Sequence, residues 1–150
     1  MSGPLGVGFV GTGMISDTYL QNLTSFPDIN VVALGDLDEA RAARQAAKYG
    51  IGVAGSPDDV LAHPDVELVV NLTVPAAHFA VSRAAIAAGK HVWSEKPIGV
   101  DLVEAHEEGG VGEALVVVGE EVDLAVDEVL LEHDVAHRHG GNWAGSRLAR

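Results

Sequence analysis

The sequence has no cysteine, few basic residues and no long apolar run, and each shortage excludes a class of protein. Without cysteine there is no disulfide, thiol nucleophile or thiolate metal site, so nothing favours an oxidising compartment. Nine Lys and Arg against 22 Asp and Glu give a net charge of −13, which repels nucleic acid and anionic membrane surfaces. The N-terminal residues lack the basic start of a signal peptide, and no run approaches the roughly 18 apolar residues of a membrane span. We therefore expect a cytoplasmic protein with no nucleic-acid or membrane partner.

Aromatic residues are also scarce, whereas valine and alanine are abundant. The 150 residues include 22 Val and 21 Ala but only two Trp, two Tyr and three Phe. Valine suits strands that are buried on both faces, and alanine lets helices pack closely on a sheet. This composition favours a single α/β domain, and the length is typical of one domain of roughly 100–200 residues.

The charge divides the chain at about residue 102. Residues 1–102 carry 11 acidic and six basic side chains, a net charge of −5, whereas residues 103–150 carry 11 and three, a net charge of −8. The regular alternation of elements also weakens at this point. We therefore interpret residues 1–102 as a folded core and residues 103–150 as a divergent acidic tail.

The core alternates short apolar runs with helical patterns from residue 5 onward. Five such alternations in about 90 residues predict a doubly wound parallel sheet, Rossmann-like, with right-handed crossovers. Ligands bind beyond the carboxyl ends of the strands in such a sheet, so functional residues are expected there. The predicted strands are residues 5–10, 30–34, 53–54, 68–72 and 91–93, and the predicted helices are residues 14–26, 39–49, 57–62 and 76–88.

A glycine-rich turn follows the first predicted strand and opens a helix, in the order Gly11-Thr12-Gly13-Met14-Ile15-Ser16. Gly11 would make the tight turn, Gly13 would let the backbone approach a pyrophosphate, and the small Ser16 would let the helix pack on the strand. The N–H groups at the start of the helix would then face the phosphates. The motif alone is a weak signal, because a glycine-rich turn without a ligand has the same pattern.

The second predicted strand ends at Asp36, which makes the glycine motif more specific. A carboxylate at this place can accept hydrogen bonds from both hydroxyls of an adenosine ribose and repels a 2′-phosphate. Its alternative role, capping the next helix, is better filled by Asp38. We therefore expect a dinucleotide site that prefers NAD to NADP, with Arg41, one turn into the next helix, as the residue that counts against this preference.

The fourth and fifth predicted strand ends carry more diagnostic residues, and with them the chain resembles a known family. Over about residues 5–101 it is similar to the N-terminal half of the glucose-fructose oxidoreductase / inositol dehydrogenase / MocA family of nicotinamide-dependent sugar and polyol oxidoreductases. The matching segments, in family order, are Gly11-Thr12-Gly13 with Ile15-Ser16, Asp36-Leu37-Asp38, Thr73-Val74-Pro75 with His78, Ala88-Gly89-Lys90-His91-Val92 and Glu95-Lys96-Pro97.

The resemblance implies a role for each matching position. Lys96 would lie near the nicotinamide and the substrate hydroxyl and help to polarise or deprotonate that hydroxyl. The implied cofactor-binding residues are Gly11, Thr12, Gly13, Met14, Ile15, Asp36, Thr73, Pro75, His78, Glu95, Lys96 and Pro97. The alternatives are that Lys96 is an ordinary solvated lysine, that His78 is a packing histidine, and that Glu95 forms a surface ion pair with Lys96.

The family pattern fails after Leu102, where only 48 residues remain. These are too few for the family's C-terminal substrate domain, which is therefore expected to be missing. We expect residues 114–118 to form a sixth strand, residues 121–137 an acidic helix and residues 140–150 a disordered end. His133 and His137 would share one side of that helix, but no third ligand is set by spacing, so we expect no metal site.

Two functional hypotheses follow. The first is an NAD(P)-dependent oxidoreductase acting on a sugar or polyol hydroxyl, represented by its nucleotide-binding half. The second is a non-catalytic NAD(H)-binding module or a truncated remnant. Because no substrate pocket can be located in the sequence, we expect the 150-residue chain by itself to be a weak or inactive dehydrogenase unless a homo-oligomer closes the site.

Overall fold

A computed structural model describes residues 3–95 and 116–119 of the chain. The described residues form a six-stranded sheet in the order β3-β2-β1-β4-β5-β6, with every neighbouring pair parallel. The predicted doubly wound, Rossmann-like fold is therefore confirmed. The strands are β1 Leu5–Val10, β2 Ile29–Gly35, β3 Val53–Gly55, β4 Leu68–Asn71, β5 His91–Glu95 and β6 Val116–Gly119, and the helices are α1 Ser16–Leu23, α2 Glu39–Tyr49, α3 Pro57–Ala62 and α4 Pro75–Ala87.

The strand β1 lies at the centre of the sheet, and all six of its residues are buried. Phe9 packs on one face with residues of α1 and α2, including Leu20 and Ala46. Val10 packs on the opposite face with residues of α3 and α4, including Val60. Burial on both faces explains why the strands are continuous apolar runs rather than alternating ones.

The helix α1 is shorter than predicted at both ends. It begins at Ser16 rather than at residue 14, and Ile15, which the predicted bounds placed within the helix, is 46% exposed. The glycine-rich turn takes up the residues before Ser16, so Ile15 precedes the helix. At the other end Pro27 disfavours helical geometry at Phe26, and the helix ends at Leu23.

The helix α2 has the predicted bounds. The side chain of Asp38 accepts a hydrogen bond from the backbone N–H of Arg41 at its start, and Gly50 ends it in the left-handed conformation with φ of 70°. The cap expected of Asp38 is therefore present. Asp36 is left available for another role.

The carboxyl end of β5 extends two residues beyond its predicted end. Ser94 and Glu95 belong to the strand because they pair with Val118 and Gly119 of β6. The strand predicted over residues 114–118 overlaps β6. The predicted acidic helix 121–137 and the end 140–150 lie outside the described residues.

Candidate functional site

The order of the strands reverses beside β1, which has β2 on one side and β4 on the other. Dinucleotides bind above such a switch point, at the carboxyl ends of the strands. Because all the strands are parallel, the residues that follow or end β1, β2, β4 and β5 meet at one edge of the sheet. The predicted site residues at this edge are Gly11, Thr12, Gly13, Met14, Ile15, Asp36, Thr73, Pro75, His78 and Glu95. Lys96 and Pro97 lie outside the described residues.

The fold itself requires glycine at position 11. Its φ is 97°, and a Cβ there would lie 2.6 Å from the carbonyl carbon and oxygen of Leu72 at the end of β4. Its backbone N–H donates to the carbonyl oxygen of Gly35 at 2.9 Å. The first turn is therefore pressed against the neighbouring strand ends, and a larger residue would disrupt it.

Gly13 differs, because nothing in the described structure lies within 4 Å of a Cβ built on it. Its carbonyl oxygen accepts hydrogen bonds from the backbone N–H and the hydroxyl of Ser16, at 3.1 and 2.6 Å, and these fix the start of α1. The protein's own packing therefore gives no reason for glycine at position 13. The space beside it is open at the N-terminus of a helix, where an anion is favoured.

Asp36 is buried and holds the glycine-rich turn against the end of β2. Its Oδ2 accepts from the backbone N–H and the hydroxyl of Thr12, at 2.7 and 2.8 Å, and its Oδ1 accepts from the backbone N–H of Asp38 at 2.9 Å. Arg41 contacts both oxygens, with Nη2 2.7 Å from Oδ1 and Nε 3.1 Å from Oδ2. The carboxylate is thus saturated with donors.

Burial by itself would raise the pKa of Asp36, but its hydrogen bonds outweigh that effect. The bond from Arg41 contributes most, followed by those from the backbone of Asp38 and from Thr12, and together they hold the pKa of Asp36 well below its ordinary value. Asp36 is therefore ionised at neutral pH. It can accept hydrogen bonds from a ligand hydroxyl only if the Arg41 guanidinium moves away from it.

A cleft of about 370 Å³ opens beside the turn and carries three basic side chains. Arg41 is paired with Asp36, and Lys48 is paired with Asp17 at 2.7 Å. Arg44 has no ion-pair partner among the described residues. Positions 41, 44 and 48 share one face of α2, so the spacing of Arg44 and Lys48 could have signalled them from the sequence. The cleft is lined by Thr12, Gly13, Met14, Arg41, Arg44, Gln45 and Lys48.

Large apolar side chains that are exposed in the described residues are confined to this edge of the sheet. They follow β1, β2 and β4, and they are Met14, Ile15, Leu37 and Val74. Isolated exposed apolar residues are common on proteins, but Met14 also lines the cleft, where an exposed apolar side chain is typical of a ligand-binding surface.

The loop after β4 is held by a buried polar network centred on Asn71. Its Oδ1 accepts from the backbone N–H and the hydroxyl of Thr73, at 3.3 and 2.7 Å. Its Nδ2 donates to the carbonyl oxygen of His78 at 2.9 Å and to the hydroxyl of Ser82 at 3.1 Å. Asn71 and Ser82 were not among the predicted site residues, although Ser82 lies one helical turn after His78 and so shares its face.

His78 is 2% exposed, and its Nε2 lies 2.9 Å from the carbonyl oxygen of Thr73. Because a carbonyl only accepts, the proton in this bond is on Nε2. His78 therefore contacts the loop from beneath, whereas Pro75 and Val74 are exposed at its tip. In the described structure His78 fits the alternative of a packing histidine that shapes the site.

The side chain of Glu95 contacts the interior of the protein rather than the cleft. Its Oε1 accepts a hydrogen bond from the hydroxyl of Tyr19 on α1, and that hydroxyl accepts one from the indole N–H of Trp93 at 3.3 Å. The sequence offered no signal for this contact, because 76 residues separate Tyr19 from Glu95.

A protein-family model matches the part of the chain that forms this site. Residues 5–109 match the oxidoreductase family with an NAD-binding Rossmann fold that is named for glucose-fructose oxidoreductase, inositol dehydrogenase and MocA. The chain belongs to this family. The resemblance drawn from Gly11 to Pro97 is thereby confirmed, and the matched residues include every described strand except β6.

Curated family members give the same assignment. Inositol 2-dehydrogenase 3 of Saccharopolyspora erythraea is 37% identical over 120 residues, which cover 75% of this chain and 35% of that protein. Inositol 2-dehydrogenase of Burkholderia vietnamiensis is 35% identical over 124 residues, which cover 77% of this chain and 36% of that protein. The chain thus spans about a third of the length of these relatives.

Solved structures of similar proteins contain both forms of the nicotinamide cofactor. GenD2 from gentamicin A biosynthesis, in complex with NAD, is 30% identical with a TM-score of 0.66, over 79% of this chain and 35% of that one. KijD10, a 3-ketoreductase from Actinomadura kijaniata in complex with NADP and TDP-benzene, is 25% identical with a TM-score of 0.73, over 86% of this chain and 42% of that one. Members similar to this chain therefore differ in their cofactor.

Residues 3–95 and 116–119 contain no cluster of His, Asp and Glu that could hold a metal ion. None of the helices among them is long and apolar enough to cross a membrane. His133 and His137 lie outside these ranges.

Proposed function

We propose that this chain is the nicotinamide-dinucleotide-binding part of a dehydrogenase that acts on a sugar or polyol hydroxyl. The observation that carries the proposal is the open space beside Gly13, where a Cβ would meet nothing within 4 Å, just before α1 and next to Thr12, which the buried Asp36 holds. These features fit a pyrophosphate over the residues from Gly11 to Ser16 and an adenosine ribose at Asp36. Membership of the family supports the same assignment.

The nicotinamide half then belongs above β4 and β5, on the other side of the switch point. Thr73 and Pro75 border that space at the loop after β4, and His78 supports this loop through the carbonyl oxygen of Thr73. When bound, the nicotinamide supplies the acceptor or donor of a hydride. Oxidation of an alcohol also requires that the O–H proton be accepted, and Lys96 is the residue we assign to this role, on the family resemblance and its chemistry.

For the cofactor we propose NAD as the preferred form, with NADP bound more weakly. Asp36 has two oxygens that suit the ribose hydroxyls, and its charge opposes a 2′-phosphate. Arg41 narrows the preference, because it neutralises that charge and is itself half-exposed to the cleft. A 2′-phosphate can form an ion pair with Arg41, whereas ribose hydroxyls must displace Arg41 from Asp36 to bond with the carboxylate.

The second candidate function is an NAD(H)-binding module without turnover. It needs only the features that bind the cofactor, and the described residues contain these: the open space beside Gly13 and a cleft that carries Arg41, Arg44 and Lys48. Turnover of a polyol panel with NAD, lost in Lys96→Ala, would favour the first function over the second. From the sequence we also propose that the protein is cytoplasmic and does not bind nucleic acid. A second copy of the chain is the candidate for closing the site.

Titration of the native chain with NADH, followed by fluorescence, tests the proposal. Gly13→Val fills the open space beside the turn and is expected to abolish binding without changing stability. Gly52→Val is the matched control, because a Cβ at position 52 also meets nothing within 4 Å but lies just before β3, at the opposite edge of the sheet. The proposal is wrong if the native chain fails to bind NADH, or if Gly13→Val binds it as the native chain does.

A further inference from the structure

Three side chains form a chain of hydrogen bonds between α1 and the end of β5. Trp93 and Tyr19 are 3% and 2% exposed, and Glu95 is half-buried. The indole N–H of Trp93 donates to the hydroxyl of Tyr19, which in turn donates to Oε1 of Glu95. An indole N–H only donates, so the hydroxyl oxygen accepts from Trp93 and the phenol O–H is directed at Oε1 of Glu95.

The ring of Tyr19 is part of the apolar core on this face of the sheet, where a phenylalanine ring would pack equally well. Its hydroxyl adds no packing, but it holds a carboxylate that has no other described side-chain contact. Burial, and then the hydrogen bond to Glu95, raise the pKa of Tyr19 above its ordinary value. The phenol is therefore protonated and able to donate at neutral pH.

The contact joins two parts of the candidate site. Tyr19 lies on α1, and the start of this helix borders the open space at Gly13. Glu95 ends β5, and its neighbour Ser94 is in register with Asn71, the residue that organises the loop bordering the nicotinamide half. The Tyr19 hydroxyl thus ties the helix of the phosphate side to the strand end of the nicotinamide side.

We propose that Tyr19 is a positioning residue for the nicotinamide half of the site, which it serves by holding the carboxylate of Glu95, with Trp93 fixing the direction of the hydrogen bond. This inference rests on the proposed dinucleotide binding. Tyr19 contacts neither the phosphate space nor Asp36 in the described structure. Its hydroxyl should therefore matter for the nicotinamide half and not for the adenosine half.

The test compares NADH with ADP-ribose, which has the adenosine, the pyrophosphate and a ribose but no nicotinamide. In the full 150-residue chain, Tyr19→Phe is expected to weaken NADH binding about fivefold and to change ADP-ribose binding less than about twofold. Tyr49→Phe is the matched control: its hydroxyl also contacts a carboxylate, that of Asp17 at 2.9 Å, but it forms no described hydrogen bond with β5, and it should leave both affinities unchanged.

A thermodynamic cycle with Glu95 separates positioning from general loosening of the core. Glu95→Gln keeps an oxygen that accepts from Tyr19, whereas Glu95→Ala removes it, so Tyr19→Phe should weaken NADH binding in the native and Gln backgrounds and have no further effect in the Ala background. Equal weakening of NADH and ADP-ribose, or no loss of NADH affinity, would overturn the positioning role and leave the proposed function intact. A native chain that binds neither ligand would overturn both.

Discussion

The two halves of the sheet meet the proposed ligand in different ways. In the half formed by β1, β2 and α2, charged side chains face an open cleft, and Arg41 lies 46% exposed against the buried Asp36. In the half formed by β4, β5 and α4, uncharged polar groups are buried and bond to one another, as Asn71 does with Thr73, His78 and Ser82. The first half offers exposed basic side chains to a ligand, whereas in the second half buried hydrogen bonds fix the geometry of the loop after β4.

The difference follows from the chemistry of the two ends of a dinucleotide. Phosphates and ribose hydroxyls are recognised by charges and free N–H groups, which must reach the ligand directly. A planar nicotinamide needs a loop of fixed geometry beside it, and a fully bonded network under the loop supplies this. Substitutions of the exposed basic side chains of the cleft should therefore act mainly on affinity, and substitutions in the network around Asn71 mainly on stability.

The largest effect is expected for Asn71→Leu, which removes the centre of the buried network. The hydroxyls of Thr73 and Ser82 and the carbonyl oxygen of His78 lose the hydrogen bonds that Asn71 makes with them, and the free energy of unfolding should fall by about 3 kcal/mol. Urea unfolding followed by circular dichroism measures it. Asn22→Leu, at a partly exposed position of α1, is the control and should change stability by less than about 0.5 kcal/mol. Equal losses in the two variants would contradict the contrast between the halves.

An intermediate effect is expected for Arg41→Ala, which uncovers the charge of Asp36. NADPH affinity should fall about tenfold because a 2′-phosphate loses its cation and meets the bare carboxylate, while NADH affinity stays within about threefold. Parallel fluorescence titrations give both constants. Arg83→Ala, on α4 and away from the cleft, should change neither. An unchanged ratio of the two affinities in Arg41→Ala would show that Asp36 alone sets the preference.

The smallest effect concerns the acid stability that Asp36 provides. Because its pKa is lowered by folding, its stabilising contribution is complete above the unfolded value of about 3.9 and is lost as the pH falls below it. The difference in unfolding free energy between the native chain and Asp36→Asn should therefore shrink by on the order of 1 kcal/mol from pH 6 to pH 3. A difference that stays constant across this range would mean that the carboxylate is not stabilised by folding.

The local pattern of the sequence was sufficient wherever neighbours along the chain decide the structure. The strands were predictable because buried parallel strands are apolar runs, and α2 was predictable to the residue because Asp38 and Gly50 mark its ends. The family was predictable because short segments such as Gly11-Thr12-Gly13 and Glu95-Lys96-Pro97 follow one another in a fixed order. In each case the interacting groups are only a few residues apart.

Only the tertiary structure decided which side chains meet across elements. The predicted helix over residues 14–26 included Ile15, but in the structure Ile15 lies in the turn before α1 and is exposed. The inward contact of Glu95 depends on Tyr19, which is distant in the chain, and the length of β5 depends on pairing with β6. Sequence periodicity reports what a residue's own helix or strand requires, whereas hydrogen bonds between α1 and β5 depend on how the crossovers pack those elements against each other.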